Sequence, residues 1–356
     1  MKKFLFINPF GIGDVLFTTP AIRAVKESIP DSFIGYWCNE RVAPIVRAHP
    51  AINKVFALNR GDIKRIARKS WFGEAGLWYG LLRDIKRERF DVCFDFSLDH
   101  RYGMVSQLAG VRERIGFNYK NRGRFLTGRV NIDGYGLKHI VEYYAGLLGL
   151  AGIGITSREM FLPLSEEARR AAKVIFHRYG IGEKNKVIGI SAGGGASWGK
   201  DARYKHWPAA NFAWLINKMS KDIPADIVLL GDEQERSIAD RIAGAAGRKV
   251  VNLAGKTTLE ELCGIIGCLD LLVTNDGGPL HIAVASGIKT VSIFGPVDEL
   301  VYGPYPKSDK HRAIRRHFSC QPCYINFRFT GCSNNRKCLE DITVDEVLAN
   351  IKEILK

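Results

Sequence analysis

Residues 269–295, "LDLLVTNDGGPLHIAVASGIKTVSIFG", carry the alternation on which the fold turns. An apolar, β-branched run ends at Asn275, a turn follows, an apolar helix is predicted over 279–286, and "KTVSIFG" closes the unit as a second strand. Strand, helix and strand in that order predict a parallel βαβ unit. Pro279 suits the first helical position, where its missing N–H costs nothing, and Gly277 and Gly278 permit a tight turn. The same junction makes an anion seat. Backbone N–H groups and the positive end of the helix dipole point past the strand, and His281, one turn in, can add a hydrogen bond or a charge.

The pattern repeats outward from this stretch. "KVIGIS" (186–191), "ADIVLLG" (225–231) and "KVVNLA" (249–254) read as strands, separated by helices near 208–221, 233–246 and 258–268. That is a doubly wound nucleotide-binding topology by pattern. Toward the N-terminus, "KFLFIN" (3–8), "SFIGYWC" (32–38), "NKVFAL" (53–58) and "FDVCFDFS" (90–97) read as strands. Helices are expected over 14–28 and 137–150, the first kinked or restarted at Pro20 with Thr19 as its cap. A turn-rich stretch places a boundary near residue 160. This divides the chain into residues 1–160, residues 161–340 and a terminal amphipathic helix over 341–356. Two such halves leave a cleft, and ligands of these sheets bind beyond the carboxyl ends of the strands.

At 356 residues with ordinary hydrophobic content, the chain is long enough for two soluble domains. The apolar start is broken by Asn8, Pro9, Gly11, Gly13 and Asp14, which rejects a signal peptide. No apolar run reaches the length of a membrane span, so a cytoplasmic protein is expected, one able to lie against a membrane. The net charge of +15, from 52 Lys plus Arg against 37 Asp plus Glu, favours anionic partners. Residues 60–89 and 112–129 are strongly basic and interleaved with aromatics such as Trp71, Phe72, Trp78 and Tyr79. Such stretches rest on an anionic interface, or else form helices with a core stripe and a solvated face. Cys38, Cys93, Cys263 and Cys268 read as small core residues. Cys320, Cys323, Cys332 and Cys338 are candidates for a structural zinc: the first pair has ligand spacing, whereas the later intervals match no familiar zinc module.

Three further motifs follow predicted strands. In "NPFGIGDVL", Gly11 and Gly13 lie in a loop too irregular for a dinucleotide fingerprint. There Asp14 reads either as an N-cap carboxylate or as a general base facing the cleft, and local chemistry favours the cap. In "SAGGGASWGKDARYKHWP", Gly193 and Gly194 expose backbone donors, Lys200, Arg203 and Lys205 bring positive charge, and Pro208 opens a helix. In "LLGDEQER", capping explains most of the acidity, and one carboxylate can also hydrogen-bond a ribose.

"GIGDVL", "KHWP", "GDEQER" and "TNDGGPLHIAVASG" followed by "VSIFGP", in that order, resemble glycosyltransferase family 9, the lipopolysaccharide heptosyltransferases. The resemblance implies a GT-B fold: two Rossmann-like doubly wound domains, with the acceptor on the first and the nucleotide-sugar on the second. It implies inverting, metal-independent transfer of a heptose from ADP-heptose to an anionic lipopolysaccharide-type acceptor, at the inner face of the bacterial inner membrane. On this resemblance Asp14 becomes the base and Lys205 the cation on the donor phosphates and sugar. Glu235 is placed near the ribose, Thr257 near the adenine and Asp276 at the sugar hydroxyls. Gly277, Gly278 and His281 hold the diphosphate. The chain departs from the pattern at Asn8–Pro9, where several members have a basic residue, and in a longer loop before "KHWP". A transferase of the same fold using another nucleotide-sugar is the nearest alternative. A nicotinamide or flavin oxidoreductase would carry a G-x-G-x-x-G that neither half has. A basic nucleic-acid-binding protein is suggested by charge alone, with no binding module to support it, so no nucleic acid is expected.

Overall fold

The computed structural model describes residues 1–59, 71–182 and 184–356. The chain divides into two compact units, Met1–Met160 and Phe161–Lys356. In the first, β1 (Lys3–Asn8), β2 (Phe33–Cys38), β3 (Lys54–Ala57), β4 (Val92–Asp95), β5 (Glu113–Tyr119) and β6 (Gly128–Ile132) form a parallel sheet ordered β3-β2-β1-β4-β5-β6. In the second, β7 (Lys186–Ser191), β8 (Ala225–Leu230), β9 (Val251–Asn252), β10 (Leu271–Asn275), β11 (Lys289–Phe294) and β12 (His311–Arg315) are ordered β12-β11-β10-β7-β8-β9. Both sheets are doubly wound, and the winding reverses between β1 and β4 in one and between β7 and β10 in the other. The α/β architecture is the one expected.

Central strands were legible because both of their faces are covered. Phe4 to Ile7 in β1 and Leu271 to Val273 in β10 are fully buried, and such strands read as unbroken apolar runs. At the sheet edges, β3 and β9 were expected, whereas β6 and β12 were not. β9 is reduced to two residues, and β12, "HRAIR", buries only Ile314. The basic stretch 112–129, expected as an interfacial or amphipathic segment, is instead β5, a loop and the start of β6. Ile115, Phe117 and Tyr119 turn inward there and belong to the core, while Phe125 is half-buried.

Of the other basic stretch, residues 60–70 lie outside the described residues. Trp71–Glu88 is a helix. Trp78 packs on Trp37 and Tyr102, Leu81 and Ile85 are buried, and Tyr79 is 67% exposed. On these residues the stripe faces the core.

The expected helix over 14–28 is two helices, Ile12–Leu16 and Thr19–Ser28, and the cap position of the second is Thr18, not Thr19. Neither threonine caps through its side chain. Their hydroxyls donate backward instead, to the carbonyls of Val15 (2.6 Å) and Leu16 (2.7 Å). Those carbonyls lie in the last turn of the first helix, and Pro20 falls in the first turn of the next, where no donor is needed. The terminal helix, Val344–Leu355, contributes Val347, Leu348 and Ile351 to the core of the second unit. Cys38, Cys93 and Cys263 are buried and Cys268 is half-buried.

Candidate functional site

In the second unit, the loops after β7 and β10 flank the point where the winding reverses. One side chain ties them together. Asn275, fully buried at the end of β10, donates to the carbonyls of Ala192 (2.7 Å) and Gly193 (3.2 Å) and accepts from the Trp207 N–H (3.1 Å). It thereby joins the glycine loop, "KHWP" and the "NDGG" turn. No sequence motif singled it out, because a polar residue ending a strand also reads as an ordinary turn residue.

Glu235 holds the same loop from the other side. Its carboxylate accepts from the N–H groups of Gly195 (3.0 Å) and Asp232 (3.2 Å), the second completing a capping box. A Cβ on Gly193 would lie 1.7 Å from Glu235 Oε1, so a side chain there would displace the Glu235 carboxylate. Burial raises the carboxyl of Glu235 above its ordinary value, against the N–H donors that lower it. Gly194 lies 3.7 Å from where a Cβ of Gly277 would sit, which brings the two glycine segments side by side.

Gly277 does not serve the turn as expected. Its φ of 172° is extended backbone, and Gly278 has no positive φ. A Cβ there would make only ordinary contact with Gly194, so neither the backbone nor the neighbouring loop demands glycine at 277. Pro279 takes the second rather than the first position of the helix Gly278–Ala285.

The charges converge here. Lys205 Nζ lies 2.7 Å from Asp276 Oδ2 and 5.1 Å above the Trp198 ring, with both members of the ion pair buried. Burial first, then Lys205, pushes His281 down to about 4 against the pull of Asp276. Its ring is therefore neutral at pH 7 and offers a hydrogen bond rather than a charge. His206 is likewise held near 4 by burial, aided by Arg336, Lys205 and Arg241. Gly193, Gly194, Lys205, Glu235, Asp276, Gly277, Gly278 and His281 thus form one constellation. Thr257 stands apart, half-buried just before Thr258, which caps the helix Leu259–Ile266. A glycine loop, a helix start and one buried cation suit an anion.

In the first unit, Asp14 follows β1 at the corresponding reversal. Its Oδ2 accepts from the Gly11 N–H (3.1 Å), and its carbonyl accepts from Asn8 Nδ2 (2.9 Å). The cap of the helix Ile12–Leu16 is Gly11, not Asp14 as local chemistry favoured; Asp14 is the third helical residue, and its carboxylate reaches back to the cap N–H as in a capping box. Asn8 is fully buried and also accepts from the Phe10 N–H, so it shapes the loop that carries Gly11 and Gly13.

Asp95, ending the neighbouring strand β4, was read only as part of a strand. It is 5% exposed, its Oδ1 accepts from the Ser97 N–H (2.8 Å), and burial raises its carboxyl from the usual 3.8 to about 6. A raised carboxyl binds its proton more tightly in the folded state, so stability is lost as pH rises from about 4 to 6. Asp95→Asn is therefore expected to stabilise the protein by up to about 3 kcal/mol at pH 7.5 and by little at pH 4. Denaturant titrations at the two pH values check this; a gain that does not change with pH would show that the carboxyl carries no desolvation penalty.

All eight cysteines are free thiols. Cys323 and Cys338 are buried, and burial pushes each up to about 11, aided by the nearby thiols. Cys320 Sγ accepts from Asn334 Nδ2 (3.3 Å), and Cys332 Sγ from the Arg336 N–H (3.2 Å). Among the described residues, no three His, Cys, Asp or Glu side chains are grouped to hold a metal ion. Nor is any helix among them long and apolar enough to cross a membrane.

Comparison with known proteins bears on what these loops serve. Glycosyltransferase family 9 (heptosyltransferase) matches residues 78–329. Lipooligosaccharide heptosyltransferase 2 of Campylobacter jejuni is 31% identical, over 100% of this chain and 99% of its own. The crystal structure of a family 9 glycosyl transferase from Veillonella parvula superposes with a TM-score of 0.83 at 20% identity, over 99% of this chain and 97% of that one. The ADP-heptose lipopolysaccharide heptosyltransferase II of Escherichia coli gives 0.75 at 21% identity, over 100% and 98%. The two structures speak for the fold, and the Campylobacter relative carries the likeness along the whole sequence. On that match, the chain belongs to glycosyltransferase family 9 (heptosyltransferase) and is a glycosyltransferase.

Proposed function

We propose that the protein moves a heptose from ADP-heptose onto a hydroxyl of a lipopolysaccharide core or related glycan, with inversion and without a catalytic metal ion. The single observation that carries this is the buried Lys205–Asp276 pair beside two glycine loops at the reversal of the second sheet. In this reading residues 1–160 hold the acceptor, residues 161–340 hold the donor, and the terminal helix completes the second unit. Asp14 takes the proton from the acceptor hydroxyl as that oxygen bonds to the anomeric carbon. The bond from that carbon to the diphosphate breaks on the opposite face. The departing ADP is met by Lys205, by the backbone of Gly193, and by the helix start at Gly277–Gly278, with His281 as a neutral hydrogen-bonding partner. Asp276 orients Lys205 and faces the sugar hydroxyls, Glu235 and Thr257 lie toward the nucleoside, and Gly11 and Gly13 let the acceptor approach Asp14.

The donor assignment draws on the ADP-heptose named for the Escherichia coli structure. The test is direct. ADP-heptose is expected to be turned over in preference to GDP- and UDP-sugars, with an inverted anomer in the product by NMR, at full rate with EDTA present. Faster use of another nucleotide-sugar would reassign the donor, and a strict magnesium requirement would overturn the metal-free step. The zinc at Cys320, Cys323, Cys332 and Cys338 stays a proposal, supported by the spacing of the first pair and the two N–H···S bonds; elemental analysis of the purified protein tests it. The excess of positive charge supports a cytoplasmic enzyme touching an anionic membrane face, which flotation with anionic vesicles tests.

A further inference from the structure

The loop that carries Lys205 has little regular structure of its own. Residues 196–205 form a 3₁₀ run broken at Gly199 (φ 53°, ψ −127°), and Gly195 before it is left-handed (φ 76°). Runs of 3₁₀ hydrogen bonds are individually poor, so such a loop takes its position from what packs on it. What packs on it is the cysteine-bearing lobe, residues 320–338, to which the transfer chemistry assigns no task.

The lobe is anchored to the loop following β11. Gln321 Nε2 donates to the Gly295 carbonyl (2.5 Å), and the Cys323 N–H to the Pro296 carbonyl (2.9 Å). From there a short hairpin, β13 (Tyr324–Ile325) and β14 (Arg328–Phe329), reaches the loop. Trp198 is gripped by Tyr324 (5.2 Å between ring centres) and Phe329 (5.1 Å), and Tyr204 by Phe329 (5.0 Å). Trp198 is the ring beneath Lys205 Nζ. On the other side, Arg336 Nη1 donates to the carbonyls of Arg203 (3.3 Å) and His206 (3.4 Å), which bracket Lys205 in the chain. Arg336 is held in turn by Glu340 (2.6 Å) and, through its backbone N–H, by Cys332 Sγ.

We propose that this lobe is a clamp that sets the position of Lys205, with Phe329 and Arg336 as positioning residues for donor binding. The inference rests on the reading of Lys205 as the cation that meets the nucleotide diphosphate. It adds a task for one of the four thiols: Cys332 orients Arg336 through its backbone N–H.

ADP titrated into the whole protein by calorimetry is the probe. Arg336→Ala and Phe329→Ala are expected to weaken ADP binding about tenfold and raise the donor KM to match, with the acceptor KM and the melting temperature close to those of the parent. Phe329→Tyr keeps the ring and is expected to restore affinity, which loss of stability would not explain. Should an alanine variant not fold, Phe329→Leu against Phe329→Tyr poses the same comparison. Folded variants that bind ADP as the parent does would overturn the clamp. A parent that binds no ADP would overturn the donor reading itself.

Discussion

Asp14→Asn is expected to slow sugar transfer by about 10²–10⁴-fold, the contribution of a well-placed general base. The substitution keeps the local hydrogen bond. An amide oxygen can still accept from the Gly11 N–H, so the start of the helix Ile12–Leu16 keeps its bond, and Asn8 bonds only the backbone carbonyl of residue 14. What the amide lacks is the ability to take a proton. Binding of ADP, assigned to the second unit, is expected to be unchanged. A quenched-time assay of heptose transfer beside calorimetry with ADP separates the two quantities. Near-normal turnover in the variant would return Asp14 to a purely structural cap. Asp95→Asn makes a built-in comparison: were the buried carboxyl on β4 the true base, the loss would appear there instead.

The second large effect concerns the ion pair. Removing one partner of a buried pair leaves the other charge unpaired and costs about 3–5 kcal/mol. Lys205→Met is therefore expected to destabilise the second unit by that order and to weaken donor binding, because Asp276 is then left buried beside an anionic ligand. The double variant with Asp276→Asn tells these consequences apart. Neutralising the orphaned carboxylate is expected to recover much of the stability while donor affinity stays low, since no cation faces the diphosphate. If affinity returned with stability, Lys205 would be a structural residue rather than a ligand. His281→Ala is expected to weaken binding less, because a ring held near 4 contributes a hydrogen bond without charge at neutral pH.

How much of this was legible depended on the kind of signal. Strands buried on both faces announce themselves by composition, and the glycine and acidic turns after β1, β7 and β10 mark where such strands end. Edge strands such as β12, and β5 with its basic loop, carry mixed composition because water reaches them, and they were missed. The roles of single side chains were legible only in part. Glu235 was expected at a ribose, yet its carboxylate is bonded to the glycine loop and to its own helix start, and the capping-box spacing already contained that second possibility. Asn275 and Asp95 gave no distinguishing signal, since one strand-end asparagine or aspartate looks like another until its neighbours are known.

Local order along the chain by itself determined the two doubly wound halves and the turns that follow their strands, because burial periodicity and turn chemistry are written within a few residues of one another; the ordered set of motifs carried the resemblance to the family. Tertiary structure alone decided that Lys205 is paired to Asp276, that His281 is neutral, and that a hairpin far along the chain, at residues 324–329, grips the loop of Trp198. Those outcomes depend on desolvation and on contacts between segments distant in the chain, and neither quantity exists until the chain has folded.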